Sequence, residues 1–411
     1  MSSQASSNNT PALGVLTSLF FMMGAITSLN DVLIPHLKNA FSLNYTQAML
    51  INMVFFGAYA LMSIPMGKVV EKLGYKNGVI GGFLIAALGC ILFYPASTSL
   101  SYPVFLSALF ILASGITLLQ VAGNPYVTLL AKPGKESATL TLVQAFNSVG
   151  TTVAPPLGGL LILAEASQHM DPLQEAQSVQ IPYLGLAGVL ILLAVFVKLI
   201  RLPDAKAIAE AETEHNHDGK TSVWQYKHMI LGAVAIFCYV GAEVAIGSLL
   251  INVMEAAAGV THLQGSKLIA FYWGGAMIGR FLGSAVMSRF QPSKYLMFNS
   301  VMAMILIAVA ILSGGKVAMF ALLGVGFFNS IMFPTIFSLA TRGLGKFTGA
   351  ASGVICTAIV GGAIIPFTQG MLIDGLTGSM GATSALMASF VLPILCYLYI
   401  SFFAAKGHKV D

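Results

Sequence analysis

The sequence predicts an all-α integral membrane protein: twelve transmembrane helices in two six-helix repeats, with both termini cytoplasmic. Three observations carry that reading. Of 411 residues, 57% are hydrophobic and only 9% charged, against about 25% charged in a soluble domain, and the mean hydropathy is +0.85. The apolar runs are continuous, as from Leu184 to Val197, which fits membrane helices of about 20 residues and not barrel strands alternating over about 10. Basic residues, finally, fall on alternate sides of the expected spans. A soluble enzyme, a nucleic-acid binder and a disordered scaffold are excluded.

The expected spans are 12–37, 46–70, 77–97, 101–130, 138–165, 181–200, 228–256, 265–289, 294–313, 316–341, 348–373 and 381–405. The tail 1–11 is polar and has no basic n-region, so no signal-peptide cleavage is expected. Asn30, Asp31 and Pro35 make the outer end of the first span irregular. The second span leads into Gly67-Lys-Val-Val-Glu71-Lys72. The fourth carries Gln120, Asn124 and Pro125, and the fifth Gln144, Asn147, Ser148 and Pro156. With the sixth span the first bundle, 12–200, is complete. Residues 201–227 are the one charge-rich break and read as a solvated cytoplasmic linker; metal binding by His215 and His217 is the poorer reading. The second bundle, 228–405, brings Tyr239 and Glu243 in its first span, Tyr272, Trp273 and Arg280 in its second, and Asn329 in its fourth. A short tail, 406–411, follows. Cys90, Cys238, Cys356 and Cys396 each lie in an apolar run without metal-ligand spacing and read as small packing residues.

With these spans, sixteen of the 20 basic residues fall on one side, Lys38, Lys267 and Lys316 on the other, and Arg280 within a span. A wrong helix count would scramble that bias, which assigns both termini and the linker to the cytoplasm. The halves also repeat. Gly67 corresponds to Gly283 at an offset of 216, Asn124-Pro125 to Phe333-Pro334 at 209, and Pro156 to Pro366. Two parallel six-helix repeats with a site between them near the midplane are a transporter architecture.

Ionisable groups inside spans are candidates for function. Asp31, beside an irregular helix end, could ligate a cation with backbone carbonyls or carry a proton; alternatively it caps the helix against water. Tyr239 and Glu243 share one helical face, and a carboxylate beside a phenol suits a polyhydroxyl ligand. Arg280 sits on a seam of Gly275, Gly279 and Gly283 and holds a gating ion pair or snorkels, a structural role being favoured. Gln120, Asn124, Gln144, Asn147 and Asn329 offer amides from several helices, suited to reading hydroxyls; their plainer role is interhelical hydrogen bonding. Trp273 could stack on a sugar ring or simply pack.

The stretch from Gly67 to Lys76 resembles the loop after the second helix of the major facilitator superfamily, where an acid–base network latches the cytoplasmic side; here Glu71 and Lys72 would serve, with Met287 and Ser288 uncharged at the matching place. Asn30-Asp31, Ala122-Gly-Asn-Pro-Tyr-Val-Thr128, Gln144-Ala-Phe-Asn-Ser148, Phe237-Cys-Tyr-Val-Gly-Ala242 and Phe333-Pro-Thr-Ile-Phe-Ser-Leu339 narrow the resemblance to the fucose–proton symporter and glucose/galactose transporter branch. It implies a multi-pass protein of the bacterial inner membrane that takes up a hexose with a cation by alternating access. Asp31 would be the coupling group. Gln120 stands where the fucose symporter carries an acid, and an amide can ligate Na+ but cannot shuttle a proton. Asp31, Asn30 and Gln120 would then form an oxygen shell for Na+, with H+ as the rival. Gln144, Asn147, Glu243, Tyr239, Asn124, Asn329 and Trp273 would face the sugar, and Glu71, Lys72 and Arg280 would gate. A monomer without cofactor or nucleic-acid partner is expected. A proton-coupled fucose-type symporter and a multidrug exporter of the same fold are the alternatives. No His-Glu-x-x-His or Gly-x-Ser-x-Gly motif supports a membrane enzyme.

Overall fold

The computed structural model describes residues 9–40, 45–163, 177, 180–215 and 219–410, with side chains at all of these except 29–40, 45–49, 52, 155–163, 212–215, 262, 263 and 266. Among the described residues there is no strand. Packing divides the chain into two units, Met1–Asp218 with Gly343–Gly353, and Gly219–Arg342 with Val354–Asp411.

Unit 1 contains α1 (Thr10–Ala40), α2 (Tyr45–Leu73), α3 (Tyr75–Thr98), α4 (Tyr102–Leu130), α5 (Glu136–Leu163), α6 (Gln180–Leu199) and α7 (Ala205–His215). Helix α3 packs on α4 and α6, α4 on α2, and α1 on α5. The α1–α5 contact is backbone against backbone. A Cβ at Gly24 would strike the carbonyl of Asn147, and one at Gly150 the carbonyl of Phe21. Small residues allow that approach where lipid offers no hydrophobic drive between helices.

The linker, expected as a charge-rich solvated break, is helical in part. Its first half is α7, an Ala- and Glu-rich helix whose composition favours helix strongly. Asp204 Oδ1 caps it, accepting from the backbone N–H groups of Lys206 and Ala207 at 3.0 and 3.4 Å. The segment is tied down: Tyr126 OH donates to Pro203 O at 2.8 Å, Lys206 Nζ to Lys72 O at 3.4 Å, and Lys76 Nζ to Ile200 O at 2.7 Å. His217 lies outside the described residues, and no metal-binding cluster occurs among those described.

Unit 2 contains α8 (Lys227–Ala258), α9 (His262–Met287), α10 (Pro292–Ser313), α11 (Gly315–Asn329), α12 (Met332–Ala340), α13 (Thr348–Thr357, which starts in unit 1), α14 (Gly361–Met380), α15 (Ala382–Ser389) and α16 (Val391–Phe402). Helix α8 is the centre, packed against α9, α11, α12, α14 and α16. Here a Cβ at Gly361 would strike the carbonyl of Phe237 and one at Gly241 the side chain of Ile365. The α8–α14 contact thus reproduces α1–α5. Gly24 and Gly241 are 217 positions apart and Gly150 and Gly361 are 211 apart, close to the offsets legible in the sequence.

The last three expected spans are interrupted, between α11 and α12, by a 3-10 turn at Ala358–Val360, and at Phe390. Pro334 explains the first break. Lacking an N–H, it cannot bond the carbonyl four residues back, and that freed Ser330 carbonyl accepts Arg280 Nε at 3.1 Å. Pro125 likewise frees a carbonyl in unit 1, without breaking α4: the Val121 carbonyl accepts the Ser352 hydroxyl at 2.8 Å.

Ten helical stretches among the described residues are long and apolar enough to cross a membrane. The fifth and eighth expected spans fall on α5 and α9, outside those ten. They have 28 and 26 residues, enough for a core about 30 Å thick at about 1.5 Å per residue. In α9 the apolar sequence is diluted by Lys267 and Arg280.

Candidate functional site

Each unit holds a hydrogen-bonded chain of polar side chains inside apolar helices. In unit 1, Gln120 and Asn124 lie one turn apart on α4, where Asn124 Nδ2 donates to Gln120 Oε1 at 2.8 Å. From α5, Gln144 Nε2 donates to Asn124 Oδ1 at 3.0 Å. Asn124 is fully buried, Gln144 nearly so and Gln120 only partly. The outer ends of this chain are the Gln120 amide nitrogen and the Gln144 amide oxygen, one donor and one acceptor. Asn147, one turn along α5, spends its amide nitrogen on the helix contact, donating to Phe20 O at 2.9 Å. Asn30 and Asp31 belong to α1, but their side chains lie outside the described residues.

In unit 2 the chain is longer and ends in a carboxylate. Tyr239 OH donates to Glu243 Oε1 at 2.8 Å within α8, and Tyr272 OH on α9 donates to the Glu243 carbonyl at 3.1 Å. Asn329 Nδ2 at the end of α11 donates to Tyr272 OH at 2.9 Å, and Tyr397 OH on α16 donates to Asn329 Oδ1 at 2.6 Å. The three tyrosines and Asn329 are buried to within 1%; Glu243 is half-buried. A buried phenol or amide left unpaired costs about 1–3 kcal/mol, and here each pairs with the next. Only the Glu243 carboxylate reaches the surface of the cluster. Arg280 on α9 donates through Nε to Ser330 O at 3.1 Å.

Asn329 therefore sits with both ends of its amide engaged and no exposure. Trp273 lies at the edge, 45% exposed, its ring 5.1 Å from that of Tyr272 in a T-shaped contact. Gly275, Gly279 and Gly283 form the predicted seam: a Cβ at Gly279 would come within 2.5 Å of Ser330 Oγ, and one at Gly275 within 3.3 Å of Phe327 N. Sequence reasoning missed Tyr397. Its signal was a phenol in the highly apolar run Val391–Phe402, since such a hydroxyl needs a partner.

The predicted latch residues separate. Glu71 Oε1 accepts from the Ala350 backbone N–H at 3.2 Å, in the first turn of α13, where unpaired N–H groups favour a carboxylate. Gly67 and Gly353 sit in the same close contact: a Cβ at Gly353 would lie 2.7 Å from Ser63 O. Lys72 has an exposed side chain and contributes its carbonyl to Lys206 instead. At the matching place in unit 2, Met287 Sδ accepts from the Thr335 hydroxyl at 3.3 Å. A cavity of about 280 Å³ lies beside Glu71, lined by Tyr75, Lys206, Glu210, Lys346 and Phe347.

With this geometry in place, comparison with known proteins is specific. The family model of the Major Facilitator Superfamily matches residues 16–367. The chain is 49% identical over 400 residues to the glucose/galactose transporter of Brucella abortus, covering 97% of this chain and 94% of that one. It is 34% identical over 413 residues to the L-fucose-proton symporter of Escherichia coli K12, covering 95% and 91%. The crystal structure of a Major Facilitator Superfamily transporter in the outward conformation superposes with a TM-score of 0.86 at 33% identity, covering 97% of this chain and 99% of that one.

Proposed function

Because the chain belongs to the Major Facilitator Superfamily, whose members compared above are transporters and not enzymes, we propose that it carries a hexose of the glucose/galactose kind across the bacterial inner membrane by cation symport. The carrying observation is the pair of buried hydrogen-bonded chains. Each ends in groups that pair with sugar hydroxyls: Gln120 and Gln144 amides in unit 1, and the Glu243 carboxylate in unit 2. An ordinary apolar bundle has no use for a carboxylate held by a buried phenol. Twelve spans with both termini cytoplasmic, working as a monomer by alternating access, complete the reading.

The coupling ion in this reading is Na+, held by oxygens of Asp31, Asn30 and Gln120. Gln120 Oε1 accepts one bond from Asn124 and has a second lone pair for a cation. The proton-coupled alternative is favoured by the 34% identity to a named proton symporter. Uptake by proteoliposomes with Na+ and pH gradients imposed separately decides between them. Labelled glucose and galactose should accumulate under the Na+ gradient and compete with each other. Accumulation driven by pH alone would replace Na+ with H+, and failure of every hexose to enter would overturn the substrate class.

A further inference from the structure

One short segment of the second half of the chain packs with the first. Gly343–Gly353 belongs to unit 1, although Arg342 before it and Val354 after it belong to unit 2. It begins with Gly343 and Gly345 at φ +70° and +51°, left-handed conformations that glycine adopts at little cost. Small groups make its contact with unit 1. A Cβ at Gly67 would lie 3.0 Å from Gly349 O, and one at Gly353 would lie 2.7 Å from Ser63 O. Helix α7, whose Ala205 and Ala209 are buried, packs on the 3-10 turn Gly345–Phe347. Such surfaces bring backbones together but bury little apolar area, so the hold depends strongly on hydrogen bonds. Ala350 N–H donates to Glu71 at 3.2 Å, and the fully buried Ser352 hydroxyl donates at 2.8 Å to the carbonyl that Pro125 frees at Val121. Against Gly353, the Ser63 hydroxyl is fully buried with no hydrogen-bond partner among the described residues. Lifting of the segment would give that costly unpaired group access to water.

The acceptor of the Ser352 bond has a particular place. Val121 follows Gln120, and it lies in the turn that Asn124 closes by donating to Gln120 Oε1 at 2.8 Å. The hydroxyl that ties down the segment and the amides offered to the ligand are therefore fixed to one turn of α4. We propose that Ser352 is a positioning residue of the transport cycle, through which the state of the Gln120–Asn124 pair sets whether Gly343–Gly353 stays on unit 1. This rests on the transport reading given above. A ligand that binds those amides better in one geometry of the turn than in another shifts the segment by that difference in affinity. When the Val121 carbonyl turns away from Ser352, the segment swings on Gly343 and Gly345, which absorb the change in backbone angles as hinge residues do. The faces of α2 and α4 that it covers, at Ser63, Gly67 and Val121, are then opened.

The test introduces Ser63→Cys into the full chain in proteoliposomes and times its labelling by N-ethylmaleimide, read by mass spectrometry on the peptide that carries position 63. Adding Ser352→Ala should raise the labelling rate about three- to tenfold, the factor set by the net contribution of one hydrogen bond. Gln120→Ala should change the rate while Ser352 is present and have no further effect once it is alanine, a dependence that a merely structural bond would not show. Pro125→Ala gives the Val121 carbonyl a helix N–H of its own and should raise the rate as well. Glucose should shift the rate in the parent. Unchanged labelling in both S352A and P125A overturns the proposal, and so do effects of Gln120→Ala and Ser352→Ala that simply multiply. None of these readouts needs a sugar. If they hold while neither glucose nor galactose alters labelling, the hexose reading falls and the link from Gln120 to the segment stands.

Discussion

Glu243 ends a chain whose other members are sealed from solvent, so its substitution separates binding from folding. Glu243→Gln keeps the shape and an acceptor for Tyr239 but removes the charge that strengthens hydrogen bonds to hydroxyls. Charge-assisted bonds contribute about 1.5–3 kcal/mol, so KM for the sugar should rise roughly ten- to a hundredfold while the thermal midpoint in detergent stays put. Tyr397→Phe should do the reverse. It strands Asn329 Oδ1 without its donor, destabilising by about 1–3 kcal/mol, read as a lower midpoint with KM nearly unchanged. What the sequence revealed here was local. Gln120 with Asn124 and Tyr239 with Glu243 are legible because a four-residue spacing puts both on one helical face. The bonds from Gln144, Tyr272 and Tyr397 are not, since each joins residues on different helices and no short-range pattern encodes which helices meet.

The helices themselves are legible for the most part as continuous apolar runs, and their interruptions less so. Pro334 is visible in the sequence, yet the partner that takes the Ser330 carbonyl it frees, Arg280, is set by tertiary packing. Helix α7 is hidden by its charge, which suggests solvation although its alanines favour helix. Asp204→Ala should cost about 1 kcal/mol by removing the cap, seen as faster amide exchange over 205–210 with the bundle unaffected. The close helix contacts give a sharper prediction. Gly361→Val drives a branched side chain into the Phe237 carbonyl and should abolish a monodisperse folded protein on size exclusion, whereas Gly370→Ala, with nothing within 4 Å of its Cβ, should leave the elution profile unchanged.

At the scale of the molecule, the repeat is the most informative sequence feature, because it recurs as matched geometry: α1–α5 and α8–α14 meet at equivalent glycines. The equivalence is not complete, since Glu71 caps α13 while its counterpart Met287 accepts only a threonine hydroxyl. Coupling belongs to this scale as well. Asp31→Asn should abolish gradient-driven accumulation while sparing counterflow exchange; equal loss of both would make Asp31 structural. Pro125 and Pro334 give the two halves one further property in common. Each turns a backbone oxygen that a continuous helix would keep to itself into a berth for an outside visitor, Ser352 in one case and Arg280 in the other. A visitor moored to such a berth can depart and return without unwinding a single turn of its host.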